Sequence, residues 1–238
     1  VIATSGNDRI IMASGDTLNI INGKDGIDTI SYENYSSKVT VNWGIDTEQT
    51  VVANSTDKDT ILNVENLIGG SAGDELTGSD GNNTLTGGDG DDTIIGGAGN
   101  DALYGGNHTT GGVQGTGAAD TGKGDTADYS KASLGLGVTI DMSRPQDTSD
   151  TSTYAVSNDG FGGKDYLNGI ENIIGTAYVD NIIGDDNKNY IFGGVENDVL
   201  SGGKGNDSLE GGAGNDLFKA TSYDDGNDVI DGDATTNS

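Results

Sequence analysis

A glycine-led unit of nine residues recurs in phase in two stretches of this chain, and that phase restricts the fold more than any other property. The first stretch reads GGSAGDELT from Gly69, GSDGNNTLT from Gly78, GGDGDDTII from Gly87 and GGAGNDALY from Gly96. The second reads GTAYVDNII from Gly175, GDDNKNYIF from Gly184, GGVENDVLS from Gly193, GGKGNDSLE from Gly202 and GGAGNDLFK from Gly211. A unit this short cannot bury an apolar face alone, so its copies must stack on one another. A flexible acidic linker would share the composition, but it keeps no fixed phase and no apolar residue at a fixed place.

Each nine divides into a six-residue turn and a three-residue strand. Glycine in the turn permits φ > 0 and close backbone approach. The strand supplies one inward apolar side chain: Leu76, Leu85, Ile94 and Leu103 in the first array, and Ile182, Ile191, Leu200, Leu209 and Phe218 in the second. If successive turns alternate sides, two nines complete one coil and residues 18 apart stack. That places Asp74 over Asp92, Asn83 over Asp101, Asp180 over Asp198, Asn189 over Asp207 and Asp198 over Asp216. Carboxylates stacked at the strand spacing of about 4.8 Å repel unless a hard cation lies between them. Oxygen-only donors, Asp side chains and the carbonyls of the turns, select Ca²⁺ over softer transition metals, and Mg²⁺ suits such a site less because it demands near-octahedral geometry. Ligands from neighbouring coils meet only in the folded chain, so the binding free energy of several Ca²⁺ ions becomes folding free energy.

Composition points the same way. The chain has 42 Gly, one Pro, three Phe, one Trp and no Cys, with 39 acidic residues against 11 basic ones and a net charge of −28. Such a balance reads as disorder unless a cation neutralises the carboxylates. It also repels nucleic acid and anionic lipid head groups, so neither nucleic-acid binding nor membrane insertion is expected. No run approaches the roughly 18 apolar residues of a membrane-spanning helix, and no basic-then-apolar signal peptide opens the chain. It begins Val1-Ile2 without Met, which suggests a piece of something longer. The absence of Cys excludes disulfides and thiolate metal sites, as suits an exported chain that does not rely on oxidation.

A larger repeat encloses the small one. Asp59 to Gly106 aligns without gaps to Asp165 to Gly212, at an offset of 106. NVENLIGG pairs with GIENIIGT, and upstream DTISY at Asp28 matches DTADY at Asp125. The expected organisation is a first module over 1–106 (a flanking β region, then the array 69–106), a Gly/Thr-rich linker over 107–124, and a second module over 125–238 (a flanking β region, the array 175–219 and a capping tail).

The nonapeptide resembles the calcium-binding repeat G-G-x-G-x-D-x-U-x of RTX proteins. DTxxY, GVTID and GIENIIG also resemble segments that lead into RTX arrays in secreted adhesins, surface-layer proteins and exoenzymes. The resemblance implies an all-β fold of right-handed parallel β-rolls with Ca²⁺ between turns, type I secretion, and folding outside the cell after an unfolded passage through the low-calcium cytosol. Its implied ligands are the sixth-position residues Asp74, Asn83, Asp92, Asp101, Asp180, Asn189, Asp198, Asp207 and Asp216. To these it adds Gly87, Gly96, Gly193, Gly202 and Gly211 and their turn neighbours Asp89, Asp91, Asn100, Asn197, Asn206 and Asn215. Isolated turns at Asp8, Asp28 and Asp228 complete the set. Asn83 and Asn189 depart from the pattern and lower the charge at their sites. The first array breaks after Gly106, because Thr110 stands 18 beyond Asp92.

Other chemistries find little support. GAADTGKG, Gly117 to Gly124, mimics a phosphate loop but ends in Gly124 where Ser or Thr should hold magnesium. His108 is the only histidine, which excludes a His-Glu-x-x-His zinc site and leaves a Ser-His-Asp triad one candidate base. DDNKNY from Asp185 lacks the glycine of an EF-hand loop. The aromatics Tyr32, Tyr35, Trp43, Tyr129, Tyr154 and Phe161 fall outside the arrays and suit either core packing or a sugar or peptide platform. The expected function is a non-catalytic, calcium-dependent β-roll of a larger extracellular or cell-surface protein. The alternative is a module that binds polysaccharide, peptide or a surface-layer subunit. A third reading is an accessory domain of a protease or lipase whose catalytic part lies elsewhere.

Overall fold

Three-residue strands joined by tight turns wind into a parallel β-roll, as the nine-residue phase requires. The computed structural model describes residues 1–13, 19–43, 59–107, 124–144, 154–220 and 226–232. The stacking interval is 18 residues in both arrays: Leu76 pairs with Ile94, Leu85 with Leu103, Ile182 with Leu200 and Ile191 with Leu209. Alternate strands of each array therefore lie in different sheets.

The first sheet runs Arg9–Ile11, Thr29–Ser31, Asn66–Ile68, Thr84–Asp89, Ala102–Asn107 and Tyr166–Asn168. The second runs Thr40–Asn42, Glu75–Thr77, Thr93–Ile95, Thr126–Asp128, Asn172–Ile174, Tyr190–Val195, Ser208–Ala213 and Val229–Asp231. A third sheet joins Val156–Asn158, Thr139–Asp141, Asn181–Ile183, Val199–Ser201 and Leu217–Phe218, and a small pair joins Ile20–Asn22 to Thr60–Leu62. Among the described strands every pairing is parallel except that of Thr139–Asp141 with Val156–Asn158. The ladders cross from one array to the other. Thr126–Asp128 pairs with Thr93–Ile95 on one side and with Asn172–Ile174 on the other, while Ala102–Asn107 pairs with Tyr166–Asn168.

In most strand triplets the middle residue points inward, Val156–Asn158 and the exposed Val229–Asp231 excepted, so period-two alternation within three residues is enough to build a thin core. Leu67, Leu85, Ile94, Leu103, Ile173, Ile182, Ile191 and Leu200 are fully buried, and Phe218 is partly covered. The flanking aromatics mostly join this core. Tyr32, Tyr35, Trp43 and Tyr129 are buried, with Tyr32 edge-on to Tyr35 at a centroid distance of 5.3 Å; Tyr154 and Phe161 are half-buried. His108 and residues 117–123 of the phosphate-loop mimic lie outside the described residues. No helix among the described residues is long and apolar enough to cross a membrane.

Surface ion pairs do not balance the acidity. Lys38 with Glu75, Lys204 with Asp186, Arg144 with Asp141 and Arg9 with Glu33 are solvent-facing pairs, each worth about 0–1 kcal/mol. The charge must be met at the turns.

Candidate metal centre

Where each turn gives way to a strand, the sixth-position backbone N–H lies outside the ladder, and the sixth-position carboxylate of the next coil accepts it. Asp74 N–H donates to Asp92 Oδ1 at 2.7 Å, Asn83 N–H to Asp101 Oδ1 at 2.8 Å, Asp180 N–H to Asp198 Oδ1 at 2.8 Å, Asn189 N–H to Asp207 Oδ1 at 2.8 Å and Asp198 N–H to Asp216 Oδ1 at 2.9 Å. One carboxylate oxygen per coil is thus fixed, and the other is held in place by it.

The second oxygen has two fates, set by the backbone at the second position of its own turn. In four turns that residue donates its N–H to the sixth position: Gly70 to Asp74 Oδ2 at 2.5 Å, Ser79 to Asn83 Oδ1 at 2.6 Å, Thr176 to Asp180 Oδ2 at 2.6 Å and Asp185 to Asn189 Oδ1 at 2.9 Å. The two asparagines also use Nδ2, which donates to the carbonyls of Glu65 at 2.9 Å and Glu171 at 3.1 Å. In other turns the second-position glycine has positive φ: 123° at Gly88, 97° at Gly97, 120° at Gly194 and 88° at Gly212. There the Oδ2 atoms of Asp92, Asp101, Asp198 and Asp216 are buried without a hydrogen-bond partner. A buried carboxylate oxygen left so costs several kcal/mol unless a proton or a cation meets it.

At Asp92 and Asp198 these oxygens face carbonyls across the first glycine of the turn. A Cβ on Gly87 would stand 2.1 Å from Asp92 Oδ2 and 2.6 Å from the Gly105 carbonyl, and one on Gly193 would stand 2.4 Å from Asp198 Oδ2 and 2.8 Å from the Gly211 carbonyl. A Cβ on Gly96, Gly202 or Gly211 would stand 2.4, 2.0 and 2.3 Å from the Oδ2 atoms of Asp101, Asp207 and Asp216. Among the described residues no three acidic or histidine side chains gather in one place. The donor set is one carboxylate per coil with backbone carbonyls, all hard oxygens, and it fits Ca²⁺.

Burial pushes these carboxyls up. Asp92, Asp101 and Asp198 are raised to about 7, first by burial and then by neighbouring carboxylates, chiefly Asp125 for Asp92, Asp159 for Asp101 and Asp180 for Asp198. Asp74 rises only to about 6, since the N–H groups of Val39 and Gly70 offset its burial.

The fifth-position asparagines occupy a different ladder. Asn100, Asn197 and Asn206 are exposed and accept from the N–H groups of Lys164 at 3.0 Å, Asn215 at 2.7 Å and Asn227 at 2.8 Å, while the Asn215 side chain is exposed. Asp89 and Asp91 are half-buried in their turn. Asp8 is capped by Thr4 N–H at 2.8 Å, and Asp228, exposed at the last coil, accepts from Asp207 N–H at 3.0 Å. Sequence reasoning missed Asp125, which takes the place over Asp92 that counting assigned to Thr110: Asp92 N–H donates to Asp125 Oδ1 at 2.8 Å. It also missed buried Asp59 and Asp165, which accept from the hydroxyls of Tyr32 at 3.3 Å and Tyr129 at 3.1 Å. The gapless alignment of the two modules begins at that aspartate pair and carries the signal. Asp159, whose Oδ2 is buried without a partner, had no such signal.

The family of the RTX calcium-binding nonapeptide repeat matches residues 67–107, 165–200 and 192–220. The curated proteins hold no match to this chain. The matched segments are those that carry the carboxylate ladder.

Proposed function

From the premise that this chain carries RTX calcium-binding nonapeptide repeats and winds them into a β-roll, we propose that Ca²⁺ gates its folding. The roll then serves as a non-catalytic structural part of a larger secreted or cell-surface protein. Residues 1–106 and 125–238 are the two homologous modules of that roll, joined by 107–124.

One observation carries the reading: buried carboxylate oxygens without a partner at Asp92, Asp101, Asp198 and Asp216, set against turn carbonyls at Asp92 and Asp198. Ca²⁺ bound there supplies the positive charge that this donor set lacks. The chain's own groups do the rest. Oδ1 ties each carboxylate to the neighbouring coil, and the positive-φ glycine turns its N–H away so that Oδ2 stays open. Turns capped by their own backbone, at Asp74, Asn83, Asp180 and Asn189, need no ion. At low cytosolic calcium the open turns repel and the chain stays unfolded. Outside the cell, at Ca²⁺ levels that load extracellular modules with dissociation constants of about 10⁻⁴–10⁻³ M, it orders, which suits export as an unfolded chain.

The aromatics that would serve a sugar or peptide platform, Tyr32, Tyr35, Trp43 and Tyr129, are taken up by the core. Circular dichroism in EGTA and then in excess Ca²⁺ tests the proposal: β-signal should rise with calcium, and a chain equally ordered in both defeats it.

A further inference from the structure

We infer that the roll holds one cation through a carboxylate that belongs to no repeat: Asp159 Oδ2, in the turn after Val156–Asn158, and the carbonyl of Gly99, in the last turn of the first array, form a calcium site of their own. This rests on the calcium reading of the arrays and adds to it a ligand that lies at none of their positions.

Asp159 is wholly buried, and its Oδ2 has no hydrogen-bond partner. Asp28 shares both properties, but it stands sixth in the turn from Gly23 and its Oδ1 accepts from Asp8 N–H at 2.8 Å, so it follows the array ladder. Asp159 stands outside that ladder. Its Oδ1 accepts from two N–H groups of its own turn, Phe161 at 2.7 Å and Gly163 at 2.8 Å. That turn closes a short antiparallel detour: Asp159 N–H donates to the Gly163 carbonyl at 3.3 Å, and Val156 and Asp165 donate N–H groups to each other's carbonyls at 3.1 and 3.2 Å. Gly160 and Gly162, with φ of 76° and 101°, let the chain double back within it. With Oδ1 held by its own turn, Oδ2 is left to the neighbouring coil.

The neighbour there is Gly99. A Cβ on Gly163 would run onto the Gly99 carbonyl oxygen and stand 2.6 Å from Asp159 Oδ2, so the two oxygens converge on the bare face of one glycine. Gly163 stands two residues before the ladder aspartate Asp165, as Gly205 and Gly214 stand before Asp207 and Asp216. Gly205 and Gly214 lie in the same way against the carbonyls of Asn187 and Glu196, yet the carboxylate oxygens closest to a Cβ on them are Oδ1 of Asp207 and Asp216, at 3.1 Å each. Those atoms already accept the N–H groups of Asn189 and Asp198. At Gly163 the oxygen set against the carbonyl is an open one instead. Two acceptors facing each other in a dry site repel, and a hard cation between them removes the repulsion. It also meets the charge that Asp159 adds beside Asp101, whose carboxyl is raised to about 7 by burial first and by Asp159 after it. Gly99 belongs to the first array and Asp159 to the second module, so one ion ties the detour to the coil on which Tyr166–Asn168 pairs with Ala102–Asn107.

Equilibrium dialysis of the full chain against Ca²⁺, with metal analysis and circular dichroism on the same samples, tests this. Asp159→Asn should bind one ion fewer than wild type and remain β-structured at saturating calcium. Its Oδ1 can keep the N–H groups of Phe161 and Gly163, and its Nδ2 can donate to the Gly99 carbonyl, as Asn83 and Asn189 donate to the carbonyls of Glu65 and Glu171. Asp92→Asn is the array control, and the double variant should bind two ions fewer. If Asp92→Asn loses an ion while Asp159→Asn keeps the wild-type count, the Asp159 site is refuted and the array reading stands. If wild type binds no calcium, both fall. An Asp159→Asn chain that stays disordered at saturating calcium also counts against the site, because asparagine puts a hydrogen bond where the ion would lie and leaves the array ions in place.

Discussion

Asp92 joins two coils at once, receiving the N–H of Asp74 on Oδ1 at 2.7 Å while its own N–H goes to Asp125 Oδ1 at 2.8 Å. The carboxylate ladder is therefore continuous through the break that follows Gly106. Because Oδ1 is committed to the fold, only Oδ2 is available to a ligand, and the turns differ in whether it is.

Capped and open turns should separate in a calcium titration. Asp92→Asn and Asp198→Asn remove open oxygens and should each lower the number of bound ions, whereas Asp74→Asn, whose Oδ2 already takes Gly70 N–H, should leave that number unchanged. Calorimetric titration reads the difference, and equal losses for all three would show that capping does not govern binding.

Without calcium, the roll should be favoured by acid. Asp92, Asp101 and Asp198 sit near 7 when folded, against an ordinary value of 3.8. A raised folded value means that the native state holds protons more tightly, so the protonated form stabilises it below about pH 4, and that stability is lost as pH rises through 7. In EGTA, β-signal should be greater at pH 5 than at pH 8, and less pH-dependent in the triple Asp→Asn variant. A flat profile in the wild type would contradict this.

Gly88→Ala should be severe and Gly81→Ala mild. A Cβ at Gly88 would meet the Gly70 carbonyl at 2.2 Å in a backbone with φ of 123°, while one at Gly81 finds only Ser79 Oγ at 3.8 Å. The first should cost about 1–3 kcal/mol or more, read as a lower urea midpoint in saturating calcium. The second should leave the midpoint nearly where it is.

Leu85→Ala should cost about 2–5 kcal/mol. Leu85 is fully buried between Leu67 and Leu103, its partners in the neighbouring strands, and the thin core has little to collapse into the space. A midpoint shift no larger than that of Gly81→Ala would show that the core contributes little beside the turns.

Spacing made the repetitive part of this structure legible. A fixed nine-residue phase with an apolar residue at its eighth position leads to three-residue strands, 18-residue stacking and one carboxylate per coil. What spacing cannot express is a dihedral angle. Gly70 and Gly88 occupy the same place in their repeats, yet one donates its N–H to Asp74 and the other takes positive φ and leaves Asp92 open. Nor can spacing follow a ladder across an insertion. Asp125 stands on Asp92 because the strands pair there, although 33 residues separate them. The aromatics became interpretable only once their burial was known.

The seam between the arrays has a mechanical meaning. Inter-strand hydrogen bonds in a parallel roll point along its length, so a pull on the two ends is borne by the coil-to-coil joints in series and the weakest yields first. Thr84–Asp89 and Ala102–Asn107 are in register from Thr84 with Ala102 through Asp89 with Asn107, whereas Thr93–Ile95 meets Thr126–Asp128 only at Thr93 with Thr126 and Ile94 with Ala127. On that face the roll has a fuse: with calcium bound and the arrays wound, a stretched chain parts there first.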